Sequence, residues 1–173
     1  MHLHVTIDLP TDVRHAARLL ADPAYVHAKV RAAGAVDQHV DVTGTVEDAF
    51  TVTTRRQLPT GQIPAHLRAF VGDRIDVRQV EAWEAADADG SRSGTVAVEI
   101  AGAPVRVTGR TSLVAVGPDA SRVTYDGEVR AAVPLFAAAV EEAAGSAVRA
   151  ALATEQQVAQ TWLAERAGPS TTA

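Results

Sequence analysis

Ser121–Arg130 reads SRVTYDGEVR, and Leu135–Glu165 reads LFAAAVEEAAGSAVRAALATEQQVAQTWLAE. In the first stretch Val123, Tyr125, Gly127 and Val129 alternate with Arg122, Thr124, Asp126, Glu128 and Arg130. That period of two is a strand with one buried face. The second stretch has one glycine and no proline. Phe136, Val140, Ala143, Ala147, Ala151, Thr154, Val158 and Trp162 recur at spacings of three and four, the pattern of a helix with an apolar stripe. Glu141, Glu142, Arg149, Glu155 and Glu165 are expected mostly off that stripe. At ~1.5 Å per residue such a helix spans roughly 45 Å, enough to cross a small sheet.

Working toward the N-terminus, the same alternation recurs. Val105, Val107, Gly109, Thr111 and Leu113 form one strand, closed by the turn Gly117-Pro118-Asp119. Val96, Val98 and Ile100 form another, after a hairpin turn over Asp87–Gly90. Ile75, Val77, Val80 and Trp83 slip in phase. Either a bulge lies between Val77 and Val80, or Gln79 and Glu81 face inward as a polar pair. Gln57–Pro64 is expected as a loop and Ala65–Val71 as a short helix bearing Leu67 and Phe70. Val36, Val40 and Val42 lead to a turn at Gly44, with Val46, Phe50 and Val52 beyond it. Leu3, Val5 and Ile7 make the first strand. Two short helices follow it: one is capped by Thr11 or Asp12, the other opens at Asp22-Pro23 and ends at Gly34. The expected architecture is α+β: an antiparallel sheet of about six to seven strands, a long C-terminal helix, and two short helices after strand one. Residues 1–166 are expected to form one domain and 167–173 a disordered tail.

Composition narrows the function classes. The chain has 173 residues, 47% hydrophobic and 4% aromatic, with no cysteine. Disulfides, zinc ribbons and thiol catalysis are excluded. A formal charge of −5 disfavours nucleic-acid backbones and anionic membranes. No apolar run is long enough for a membrane span, and no signal segment precedes the first strand, so a cytoplasmic address is expected. High alanine and arginine with a single lysine, Lys29, resembles the coding bias of GC-rich bacteria.

The order of elements resembles the helix-grip fold of the START-like superfamily, also called the Bet v 1-like or SRPBCC group. Gln57-Leu58-Pro59, Glu81-Ala82-Trp83, Gly109-Arg110-Thr111-Ser112-Leu113 and Gly127–Leu135 are similar to a bacterial domain-of-unknown-function family, number 2505. The similarity runs from the first strand to Trp162. It implies a curved sheet wrapped around the long helix, with an apolar cavity between them. No cofactor and no metal are expected. Val77, Trp83, Val96, Val98, Ile100, Leu113, Tyr125, Phe136 and Val140 are the expected lining; the same residues would also serve as a filled core.

Three functional readings follow. The first is a carrier of a hydrophobic or amphipathic molecule, lipid-like or polyketide-like. The second is a cyclase, aromatase or dehydratase using polar groups in the same cavity, with Glu81 and Tyr125 as first candidates. A carboxylate in an apolar cavity has a raised pKa and serves as general acid or base. The third is a protein-interaction module using the outer sheet face or the helix ends. Other groups read as solvated strand faces rather than sites: His2 with His4, His39 between Asp37 and Asp41, and Arg106 with Arg110. Arg55-Arg56 is too short for a nucleic-acid patch and lacks interleaved aromatics.

Overall fold

The structure is a computed structural model that describes residues 1–61, 68, 72–133 and 135–167. Its elements run β1 (His2–Leu9), α1 (Val13–Leu20), α2 (Pro23–Ala32), β2 (Asp37–Gly44), β3 (Phe50–Pro59), β4 (Arg74–Trp83), β5 (Arg92–Ile100), β6 (Val105–Gly117), β7 (Ala120–Ala131) and α3 (Ala137–Ala167). The seven strands form one antiparallel sheet in the order β1-β7-β6-β5-β4-β3-β2. The curved sheet, the long C-terminal helix and the two short helices after β1 make a helix-grip fold.

Local chemistry explains the element starts. Asp12, rather than Thr11, caps α1: one of its oxygens accepts from the N–H groups of Arg14 and His15, at 2.9 and 3.0 Å. Asp22 does the same for α2 through Ala24 N–H at 2.9 Å, with Pro23 fixing the first turn.

Several expectations need correction. No bulge interrupts β4. Its register with β3 is continuous from Phe50↔Trp83 to Pro59↔Arg74, so Gln79 and Glu81 share a face with Val77 and Trp83. The only register shift among the described pairs is at Ala115/Gly117, between β6 and β7. Gln57, Leu58 and Pro59 belong to β3 rather than a loop, because each pairs with β4. Val46 lies in the turn before β3 instead of in a strand. The long helix starts at Ala137, since Leu135 takes a left-handed φ of 66° as the chain leaves β7. The expected helix over Ala65–Val71, apart from Arg68, and the tail beyond residue 167 lie outside the described residues, Leu67 and Phe70 among them.

The register sorts the inner face into rows that cross the sheet. One row is Phe50, Trp83, Gly94, Thr111, Tyr125 and Val5. The next is Val52, Glu81, Val96, Gly109, Gly127 and Leu3. Gly109 and Gly127 face each other across β6 and β7, so the middle of this row carries no side chains. They must be glycine: a Cβ on Gly109 would lie 2.4 Å from the Asp126 carbonyl oxygen, and one on Gly127 2.5 Å from that of Thr108. The helices cover this face. One apolar cluster joins α1, α2 and α3 to Ile7, Phe50, Trp83, Leu113, Val123 and Tyr125. A smaller one gathers around Val105, Val107 and Val129.

Candidate functional site

A buried polar network sits inside this apolar shell. Glu81, inward on β4 and 3% exposed, is its centre. Gln79, one pleat earlier on the same face, donates from Nε2 to Glu81 Oε1 at 2.6 Å. Gln79 Oε1 in turn accepts from Arg56 at 3.0 Å, and Arg56 also donates to Thr54 Oγ1 at 3.0 Å. From β7, Tyr125 donates its hydroxyl to Glu81 Oε2 at 3.3 Å. From α2, Lys29 Nζ lies 2.7 Å from Glu155 Oε1 on α3 and 3.6 Å from Glu81 Oε1. Two cations and two carboxylates thus share one interior, joined by neutral hydrogen-bonding groups.

Burial and charge act against each other here. Burial disfavours the Lys29 ammonium, but Glu155 and Glu81 outweigh it and hold its pKa above the usual lysine range. Burial raises the pKa of Glu155, against the pull of Lys29. Burial, reinforced by both carboxylates, also raises Tyr125 and Tyr25, so both phenols stay neutral. Among the described residues Tyr25 Oη, Trp83 Nε1 and Thr111 Oγ1 are buried without a hydrogen-bond partner. Trp162 packs edge-on against Tyr25, with ring centres 5.8 Å apart. Trp83 stacks on Phe50 at 6.2 Å.

The raised Glu155 fixes the sign of a pH effect. The folded chain holds that proton more tightly than the unfolded chain does. Its contribution to stability is therefore largest below the ordinary value of 4.5 and is lost as pH rises through the raised one. For Lys29, also raised, the contribution is complete below 10.5 and is lost only as pH climbs through the higher folded value. Unfolding titrations of wild type and Glu155→Gln between about pH 4 and pH 8 test the first sign. The stability deficit of the variant should shrink as pH rises; a deficit that stays constant refutes the assignment.

The two candidate catalytic residues from the sequence, Glu81 and Tyr125, are in contact. The sequence does not single out Lys29 or Glu155, and it offers Arg56 only as half of a pair too short for a nucleic-acid patch; Lys29 carries a signal, since it repeats with Tyr25, Val26 and Val30 on the apolar side of α2. Glu155 was expected off the stripe of α3. The buried positions are instead Gly145, Leu152, Glu155 and Ala159, the last three one residue round from the expected line. Of the expected lining, Trp83, Leu113 and Tyr125 lie in the larger apolar cluster and Val96 packs against it. Val98, Ile100 and Val140 pack against the smaller one, and Val77 is buried. Phe136 departs from this set: it is 45% exposed, just ahead of α3. His4 Nδ1 and His2 Nε2 meet Asp126 at 2.9 and 3.5 Å on the exposed face of β1 and β7. Arg106 pairs with Glu99 at 2.5 Å, and Arg110 stands opposite Asp126. The described residues hold no group of three or more potential metal ligands, at His39 or elsewhere. None of their helices is long and apolar enough to cross a membrane.

A single antiparallel sheet closed on a long terminal helix, with buried polar groups between them, defines a helix-grip protein. Within that class the chain belongs to the family described as protein of unknown function (DUF2505), whose model matches residues 4–163. No curated protein matches it. Solved structures share the fold at low identity. The Zhui aromatase/cyclase of Streptomyces sp. R1128 is 12% identical, with a TM-score of 0.61 over 100% of this chain and 99% of that one. A START superfamily protein of Mycobacterium smegmatis is 14% identical, with a TM-score of 0.57 over 94% and 98%. A norcoclaurine synthase of Thalictrum, crystallised with a transition-state analogue, is 14% identical, with a TM-score of 0.59 over 97% and 96%.

Proposed function

We propose that residues 1–166 act as one domain that binds an apolar small molecule bearing oxygen atoms, lipid-like or polyketide-like, between the sheet and α3. The observation that carries this reading is the set of unmatched buried donors, Tyr25 Oη, Trp83 Nε1 and Thr111 Oγ1, beside the Glu81 network. Small-molecule sites combine apolar walls with a few placed polar groups, and a buried donor without an acceptor costs about 1–3 kcal/mol. A ligand with carbonyl or hydroxyl oxygens would satisfy them; a bare hydrocarbon would not. A bacterial, cytoplasmic setting belongs to the same reading, supported by the cysteine-free, arginine-rich composition.

Displacement of a naphthalene dye tests the proposal. The wild-type chain should take up the dye saturably and release it to a hydroxylated aromatic polyketide more readily than to a saturated hydrocarbon. Val96→Trp, which adds bulk beside the bare backbone of Gly109, should lose saturable uptake while keeping its circular dichroism. Absence of saturable uptake in wild type overturns the reading.

The contact between Tyr125 and Glu81 favours a second reading, a cyclase, aromatase or dehydratase; an aromatase/cyclase stands among the structural neighbours. A neutral phenol bonded to a carboxylate can pass a proton to or from an enolising ketone. General acid–base groups contribute about 10²–10⁴-fold to rate. Glu81→Gln should therefore slow turnover of a poly-ketone probe by that order; equal rates sink the enzyme reading and leave the carrier.

A further inference from the structure

The outer face of the sheet carries a feature that the interior site does not use. An open cavity of about 920 Å³ is lined by six three-residue segments, three within β2, β3 and β4 and three at the ends of β5, β6 and β7: 37–39, 55–57, 76–78, 99–101, 104–106 and 130–132. In each segment the middle residue faces the interior, as Arg56 and Val77 do, so what it offers the outer face is backbone. The two flanking residues face outward and give side chains. The cavity is therefore a groove across the outside of the sheet, walled by two outward rows.

One wall is the register row His39, Arg55, Arg78, Glu99, Arg106 and Arg130. Arg55 and Arg78 are directly opposed, as are Arg106 and Arg130. Like charges directly opposed on neighbouring strands destabilise a sheet. Arg106 and Arg130 are relieved by Glu99 and Glu128. Arg55 and Arg78 are exposed and have no side-chain partner among the described residues. Glu99 stands opposite Arg78 but is bonded to Arg106, so two facing arginines outside any ion pair mark a place for an anion on a chain of net charge −5. The other wall is acidic at the β2–β4 end, with Asp37 and Asp76, and apolar at the β5–β7 end, with Ala101, Pro104 and Ala132.

The spacing narrows the partner. The two arginine pairs lie three strand spacings apart, about 14 Å. Four residues of extended peptide cover about 13–14 Å and bring side chains i and i+4 to the same side. Glu99 separates the pairs, and Asp37 and Asp76 face them, so a continuous polyphosphate would meet repulsion that two discrete carboxylates avoid. The groove floor is backbone already hydrogen-bonded within the sheet, so side chains must carry recognition. We propose that this groove docks an extended acidic segment of a partner protein. Carboxylates four residues apart meet Arg55–Arg78 and the guanidinium nitrogens of Arg106–Arg130 that Glu99 and Glu128 do not occupy, and a small apolar side chain rests on Ala101, Pro104 and Ala132. The proposal uses the opposite face of the sheet from the ligand site and stands independently of it.

Fluorescence polarisation of labelled Thr-Glu-Val-Ala-Val-Glu-Thr against the full chain tests this. The wild-type chain should bind it, more weakly as salt rises from about 0.05 to 0.5 M. The double variant Arg55→Glu, Arg78→Glu should lose at least about tenfold in affinity, the equivalent of two exposed charge contacts, without a lower melting temperature. Amide shifts in NMR should concentrate on the six lining segments. Failure of the wild type to bind, equal binding of an isomer with adjacent glutamates, or tighter binding of oligo-dT or inorganic polyphosphate would each overturn the proposal.

Discussion

Replacing Lys29 by methionine should cost about 3–5 kcal/mol of folding stability, the usual result of stripping one partner from a buried ion pair. Lys29 is 7% exposed and lies 2.7 Å from Glu155 and 3.6 Å from Glu81. Without it, two buried carboxylates keep only Arg56 for compensation, and Arg56 reaches Glu81 through Gln79 rather than directly. Methionine preserves the length and apolar stem of the side chain, so the loss reports charge rather than packing. The double variant Lys29→Met, Glu155→Leu should recover most of the loss, because an apolar replacement of a whole buried pair is often neutral or stabilising. Urea unfolding of the two single variants and the double variant closes the cycle. A Lys29→Met chain as stable as wild type would show that the network is not held by this cation.

Gly109→Val should be at least as damaging, above about 4 kcal/mol, and should leave the chain unfolded or insoluble. The reason is backbone rather than side-chain crowding. A Cβ there would lie 2.4 Å from the Asp126 carbonyl oxygen and 2.7 Å from Gly127 Cα, and neither atom can swing aside without parting β6 from β7. Gly117→Ala is the matched control. Its added Cβ would meet only Ala120 Cβ, at 3.6 Å, so its effect should stay within about 0.5 kcal/mol. Thermal melts of both variants decide the matter. If Gly109→Val melts near wild type, the bare centre of the inner row is not a packing requirement.

Much of the fold was legible because period and punctuation are local. Alternation marked β1 and β5 to β7, and Asp22-Pro23 marked the start of α2. Those signals need no knowledge of what lies across the core. The site was only half legible. Glu81 and Tyr125 could be named because a polar residue repeated in phase with inward apolar ones, yet the phase of β4 itself was ambiguous until pairing with β3 fixed it. The α3 stripe shows the same limit. Its alanines are apolar on nearly every side, so the sequence carries little contrast from which to choose the buried line, and Glu155 fell on the wrong side of it.

Sequence alone determined that the chain is α+β, that its strands form a meander ending in a long helix, that thiol chemistry is excluded, and that its few aromatic rings are placed among small residues. These follow from side-chain period, chain-reversal residues and composition, which act over a few positions. Tertiary structure alone decided that Lys29, Arg56, Glu81, Tyr125 and Glu155 share one interior, and that Arg55, Arg78, Arg106 and Arg130 share one outer row. Those groupings join residues up to 126 positions apart. They depend on strand register and helix rotation, where a shift of one residue sends a charge from the core to solvent.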